Sequence, residues 1–148
     1  MGILNEIVGT RVYLDTSPFI FYVEAVPLYV SELTPLFDAF DAGSLDGVTG
    51  EVTLAECLVK PLKDGNSALE NAFQLAVRDK AHFQVRPIDR ALWIEAARIR
   101  SKSTLKLPDA VHLAVAEQTG CTTFVTNDTD FRGATGMKVI VLSELLTP

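Results

Sequence analysis

Basic residues are in short supply: 13 Lys and Arg stand against 19 Asp and Glu in 148 residues, a formal charge of −6. The chain as a whole therefore lacks the cationic footprint of a general nucleic-acid binder. Cysteine is scarce as well. Cys57 and Cys121 lie far apart in apolar surroundings, and without a CxxC or Cys/His spacing they exclude a zinc module or redox pair and read as buried free thiols. No uninterrupted apolar run approaches the roughly 18 residues that mark a membrane span. The N-terminal MGILNEIVGTRVYLD has neither the basic start nor the small-residue cleavage site of a signal peptide, so the expectation is a soluble, cytoplasmic protein without a membrane role. A Ser/His/Asp set and a Cys/His nucleophile are missing too, and GATG at residues 133–136 lacks the following Lys of a phosphate-cradling P-loop.

What is abundant is apolar sequence, 48% of residues, enough for one core without disulfide or metal support, and the expectation is a single domain over residues 1–148. RVYLD (11–15) is a β-branched and aromatic run, followed by Ser17 as a helix cap and Pro18 as a first helical position. Residues 28–42 carry helical apolar spacing with a kink or break at Pro35. A strand near 47–49 leads to a helix bearing Glu56 that Pro61 and the KDGN turn end, and residues 67–80 read as a further helix. A short strand around 83–88 precedes a helix capped by Asp89 with a buried stripe of Leu92, Trp93, Ala96 and Ile99. Pro108 opens the next helix, Gly120 stops it, and strands follow at 123–126 and 138–142. Apolar strands alternating with helices imply an α/β fold with a mostly parallel sheet covered on both faces.

Five carboxylates sit at element boundaries: Asp15 in VYLDTS, Glu56 in TLAECLVK, Asp109 in LPDAVHLA, and Asp128 with Asp130 in TNDTDF. Ligands of open parallel sheets bind beyond the carboxyl ends of the strands. Asp15 ends the first strand, Asp128 follows the fourth, and Asp109 opens the helix just before that fourth strand, so topology alone sends these three to one edge. Clustered carboxylates repel, and a divalent cation, Mg²⁺ or Mn²⁺, is the usual reason for keeping them together.

Each acid also has a bland reading. Asp15 could serve the strand-to-helix turn, Glu56 could form a capping box with Thr53 and pair with Lys60, Asp109 could answer the helix dipole, and NDTD could be a plain turn. His112, three residues after Asp109, reads more readily as a packed core residue than as a functional one. Arg98, Arg100, Lys102 and Lys106 form a small basic strip leading into Asp109, suited either to substrate phosphate or to an ordinary helix end.

VYLDTSPFI, TLAECLVKP, LPDAVHLAVA followed by a glycine, and TTFVTNDTDF, in this order, resemble the PIN domain family, and within it the VapC-like toxin ribonucleases of type II toxin–antitoxin systems. The resemblance implies a three-layer α/β/α PIN-like fold and Mg²⁺- or Mn²⁺-dependent endonucleolytic hydrolysis of RNA, leaving 5′-phosphate and 3′-hydroxyl ends. Asp15, Glu56, Asp109 and Asp128 match the family's acidic quartet, Asp130 an additional acid, and Thr16 and Thr126 its supporting hydroxyl residues. By the same likeness the cation falls to Asp15, Asp109, Asp128 and Asp130, while Glu56 would orient or deprotonate water or bridge to a second ion. An antitoxin partner and a homodimer are likewise implied. Asn127 departs from the pattern, because many relatives carry a basic residue there. The competing readings are a non-catalytic PIN module that binds RNA or a protein, and a phosphohydrolase acting on small esters, which LDTS fits poorly.

Overall fold

A computed structural model describes residues 2–146 of the chain. Strands β1 (Arg11–Leu14), β2 (Asp46–Gly50), β3 (Phe83–Arg86), β4 (Thr123–Thr126) and β5 (Lys138–Val141) form one sheet in the order β3-β2-β1-β4-β5, with every neighbouring pair parallel. Parallel neighbours need crossovers. Helices α1 (Thr16–Val23) and α2 (Tyr29–Ala42) link β1 to β2, α3 (Glu51–Asp64) and α4 (Ser67–Ala76) link β2 to β3, and α5 (Arg90–Ser101) and α6 (Leu107–Gln118) link β3 to β4. A short α7 (Leu142–Leu145) follows β5.

The period-2 side-chain alternation of β1 divides the interior. Val12 and Leu14 pack into one core with Phe19, Leu33, Leu36 and Cys57, whereas Tyr13 enters the other with Leu92, Ala96, Val115 and Phe124. Helices α1 to α4 thus cover one face and α5 with α6 the other, the three-layer α/β/α arrangement that the family resemblance implies. Residues 110–116 of α6 are all buried, with alanines at 110, 114 and 116 admitting close packing. Strand order runs outward from β1 in both directions, so the switch point lies between β1 and β4. Asp15 and Asp128 follow those two strands.

Several boundaries differ from the sequence expectations for local reasons. Helix α1 begins at Thr16, and its N-cap is Asp15 rather than Ser17: the Ser17 N–H donates to Asp15 Oδ1 at 3.3 Å. Pro35 and Pro61 lie within continuous helices, and α3 ends instead at Gly65, which takes the left-handed conformation at φ +66°. Helix α4 stops at Ala76, and Asp79 beyond it accepts from the Val85 N–H at 2.8 Å. Leu142 starts α7 and does not extend β5. Trp93 is 48% exposed; the buried line of α5 is Leu92 and Ala96, with Ile99 partly buried, and Trp93 flanks it one residue round the helix. Asp89 does cap α5, accepting from the Leu92 N–H at 2.9 Å, and both cysteines are buried free thiols.

Gly47 on β2 is required by a close approach. A Cβ there would lie 2.2 Å from Phe83 and 3.0 Å from Phe40, both buried rings. Gly47→Ala is therefore expected to lower unfolding free energy by about 1–3 kcal/mol in urea titrations, the usual cost of overpacking. An unchanged midpoint would show that the rings yield without cost.

Candidate active site

Asp15 is 6% exposed at the end of β1, and Thr126 at the end of β4 holds it: the Thr126 hydroxyl donates to Asp15 Oδ2 at 2.5 Å. The same hydroxyl oxygen accepts from the Asp128 N–H at 3.1 Å, so one buried threonine ties two of the acids together across the switch point. Asp128 Oδ1 in turn accepts from the Asp130 N–H at 2.8 Å and caps the 3₁₀ turn Thr129–Phe131. Removing Asp15 from water is its dominant perturbation and pushes its carboxyl up to about 6. The His112 charge, the Thr126 hydroxyl and the Ser17 N–H partly offset this, and Asp109 adds repulsion.

Asp109 stands in the first turn of α6 and is half-buried. Its carboxyl is likewise raised, first by desolvation, with His112 opposing and repulsion from Asp128 and Glu56 reinforcing it. Glu56, in the second turn of α3, is drawn to the same place by tertiary contacts. Its Oε1 accepts from the Thr16 hydroxyl at 2.6 Å and lies 2.8 Å from His112 Nε2. Burial pushes Glu56 upward, yet the hydrogen bonds from His112 and Thr16 and the His112 charge outweigh it and leave the carboxyl below its ordinary value. Neither bland reading of Glu56 is realised: the Thr53 hydroxyl pairs with Thr49 Oγ1 at 2.6 Å, and Lys60 pairs with Glu24 at 3.5 Å.

Four of the five acids therefore feel one another, while Asp130 stays exposed on its turn, lining a shallow pocket with Lys102, Ser103, Thr104 and Arg132. The basic strip is partly engaged elsewhere. Arg98 pairs with Glu95 and Arg100 donates to the Leu105 carbonyl at 2.7 Å; outside the strip, Arg132 forms a two-pronged pair with Glu144. Lys106 is the N-cap of α6 and lowers the Asp109 carboxyl from nearby. Asn127 Oδ1 accepts from the Ser143 N–H at 2.9 Å.

His112 is packed in the interior, as the sequence suggests, and it also reaches the acidic edge. It is 1% exposed, and both ring nitrogens are used: Nε2 toward Glu56, and Nδ1 2.7 Å from the buried Tyr13 hydroxyl. Cys57, beside Glu56, is pushed up to about 12 by burial and by the charges of Glu56, Glu24 and Asp15, which makes it an inert neutral thiol.

Among the described residues, no group of three or more His, Cys, Asp or Glu side chains is arranged to hold a metal ion as it stands. The donor chemistry nevertheless fits a hard divalent cation, since the coupled groups are carboxylate oxygens at one sheet edge. Desolvation and mutual repulsion raise two of them, and a nearby cation would relieve both. No helix among the described residues is long and apolar enough to cross a membrane.

The fold is shared with known proteins. The structure is similar to VapBC2 of Rickettsia felis, solved with a promoter DNA fragment, at TM-score 0.68 and 14% identity over 88% of this chain and 98% of that one. A Klebsiella pneumoniae toxin–antitoxin complex gives TM-score 0.65 and 22% identity over 88% and 97%. Mycobacterium tuberculosis VapC20, a toxin that cleaves the sarcin–ricin loop, gives 0.67 and 18% over 85% and 95%. No curated protein matches the sequence. The family model for the PIN domain matches residues 12–136, and the chain belongs to that family.

Proposed function

We propose that the protein is a metal-dependent endoribonuclease, the toxin of a toxin–antitoxin pair. The observation that carries this is the convergence of Asp15, Glu56, Asp109 and Asp128 at the β1/β4 switch point, with Thr126 joining Asp15 to Asp128 and Thr16 bound to Glu56. Asp15, Asp109 and Asp128 would hold Mg²⁺ or Mn²⁺, with Asp130 close by on its turn. Such a cation, when bound, makes water a nucleophile at neutral pH and offsets the pocket's repulsion of phosphate.

The chain's own side chains supply the remaining steps. Glu56, kept ionised by its hydrogen bonds, orients the attacking water and takes its proton. Thr126 holds Asp15 at the end of β1, and Lys106 brings positive charge to the same edge for the substrate backbone. The structural likeness to VapBC proteins supports an antitoxin partner. Its peptide would cover the acidic edge with a basic side chain, and the family resemblance adds a homodimer to the proposal.

Purified protein, freed of partner, is expected to cut a single-stranded or hairpin RNA in the presence of Mn²⁺ or Mg²⁺ and to stop when EDTA is added. Calorimetry with Mn²⁺ separates this from the competing reading of a non-catalytic PIN module, for which no cleavage and no ion uptake would be measured.

A further inference from the structure

Two donors meet on one oxygen of Glu56. The Thr16 hydroxyl lies 2.6 Å from Oε1 and His112 Nε2 lies 2.8 Å from that same atom, with Nε2 and Thr16 Oγ1 themselves 3.3 Å apart. A carboxylate only accepts, so Nε2 must carry a hydrogen. On the far side of the ring the Tyr13 hydroxyl, 2.7 Å from Nδ1, either donates to a bare nitrogen or accepts from a protonated one. The imidazole is thus satisfied in both of its charge states. It is also fixed in place, since Tyr13 is wholly buried, stacks on Phe124 at 5.0 Å and meets the His112 ring edge-on at 5.8 Å. With both nitrogens engaged, His112 is neither a free base nor a free ligand.

We propose that His112 is a positioning residue: with Thr16 it pins Oε1 of Glu56, so that Oε2 is the oxygen presented to the attacking water. The arrangement ties three elements together at one carboxylate, α1 through Thr16, α3 through Glu56 and α6 through His112, and α6 carries Asp109 one turn earlier. The inference rests on the nuclease reading for its consequence, though the clamp itself is a property of the metal-free protein.

The test compares wild type with His112→Phe, His112→Gln and Thr16→Val on a fluorogenic single-stranded RNA with Mn²⁺, alongside ¹⁵N NMR of the imidazole in metal-free protein. His112→Phe keeps a ring but has no donor. It should lower kcat by about 100-fold, the scale of a misplaced catalytic group, and leave KM nearly unchanged. His112→Gln, whose amide N–H can reach Oε1, should regain much of that loss, and Thr16→Val should lower kcat at constant KM. In the spectrum Nε2 should be the nitrogen that carries the hydrogen. If His112→Phe does not fold, His112→Gln and Thr16→Val decide: wild-type kcat in Thr16→Val overturns the proposal. So does wild-type kcat in a folded His112→Phe, or a bare Nε2. A wild type that cuts no RNA yet shows the protonated Nε2 sinks the nuclease reading and leaves the clamp standing.

Discussion

Asp15→Asn is expected to abolish RNA cleavage and, in the absence of divalent ions, to make the protein more stable. Both effects have one cause. Asp15 is buried with its carboxyl raised from 3.8 to about 6, so at neutral pH the folded state carries a charge it would rather not hold. The sign follows from linkage: a raised carboxyl pKa is harmless below the unfolded value, the penalty grows as pH rises from about 4 to about 6, and it is complete above that. A carboxyl raised from 3.8 to about 6 corresponds to roughly 3 kcal/mol, an upper limit for the gain because the asparagine amide must find its own acceptor beside Thr126. Thermal melts in EDTA should therefore place Asp15→Asn above wild type at pH 7 and level with it near pH 4. Mn²⁺ at about a hundred times its Kd should raise wild type by about 2.7 kcal/mol and the variant by little, which closes or inverts the gap. A variant that is less stable than wild type at pH 7 in EDTA would mean that the Thr126 and Ser17 hydrogen bonds outweigh the desolvation of Asp15.

Asp15, Asp109 and Asp128 were legible because strand-and-helix alternation fixes which end of a parallel sheet each boundary reaches, and that end is common to all three. Glu56 was not legible locally. Its helix starts at the same edge, but the contacts that matter come from Thr16, 40 residues earlier, and His112, 56 residues later, while the local partners it might have had are taken by Thr49 and Glu24. The family resemblance supplied it instead. The contact of His112 with Glu56 was not legible, because a lone histidine in an apolar helix looks the same whether its nitrogens face the core or a carboxylate, and here one faces each. The available signal was the place of His112 one turn after Asp109, together with Tyr13, which lies two residues before Asp15 and on the opposite face of β1 from Leu14. Trp93 falls outside the buried line of α5 because residues i and i+1 do not share a helix face, whereas Leu92, Ala96 and Ile99, at i, i+4 and i+7, do.

Glu56→Gln carries the second large effect, and its stability change has the opposite sign to that of Asp15→Asn. Glutamine is nearly isosteric, and its carbonyl oxygen can take the place of Oε1, accepting from Thr16 and from His112 Nε2 as the carboxylate does. What disappears is the charge and the ability to accept a proton from water. Loss of a general base of this kind costs about 10²- to 10⁴-fold, and it should fall on kcat with KM and Mn²⁺ affinity retained, since in the proposed site Asp15, Asp109 and Asp128 would hold the ion. Weakened Mn²⁺ binding in calorimetry would instead make Glu56 a bridge to a second ion. For stability, the Glu56 carboxyl lies below its ordinary 4.5, so its ionised form is the favoured one in the fold; that contribution is present above the unfolded value and is lost as pH falls through the folded one. Glu56→Gln should accordingly melt below wild type at pH 7 and approach it in acid, so that two neighbouring acids of one site, each replaced by its amide, shift the melting temperature in opposite directions.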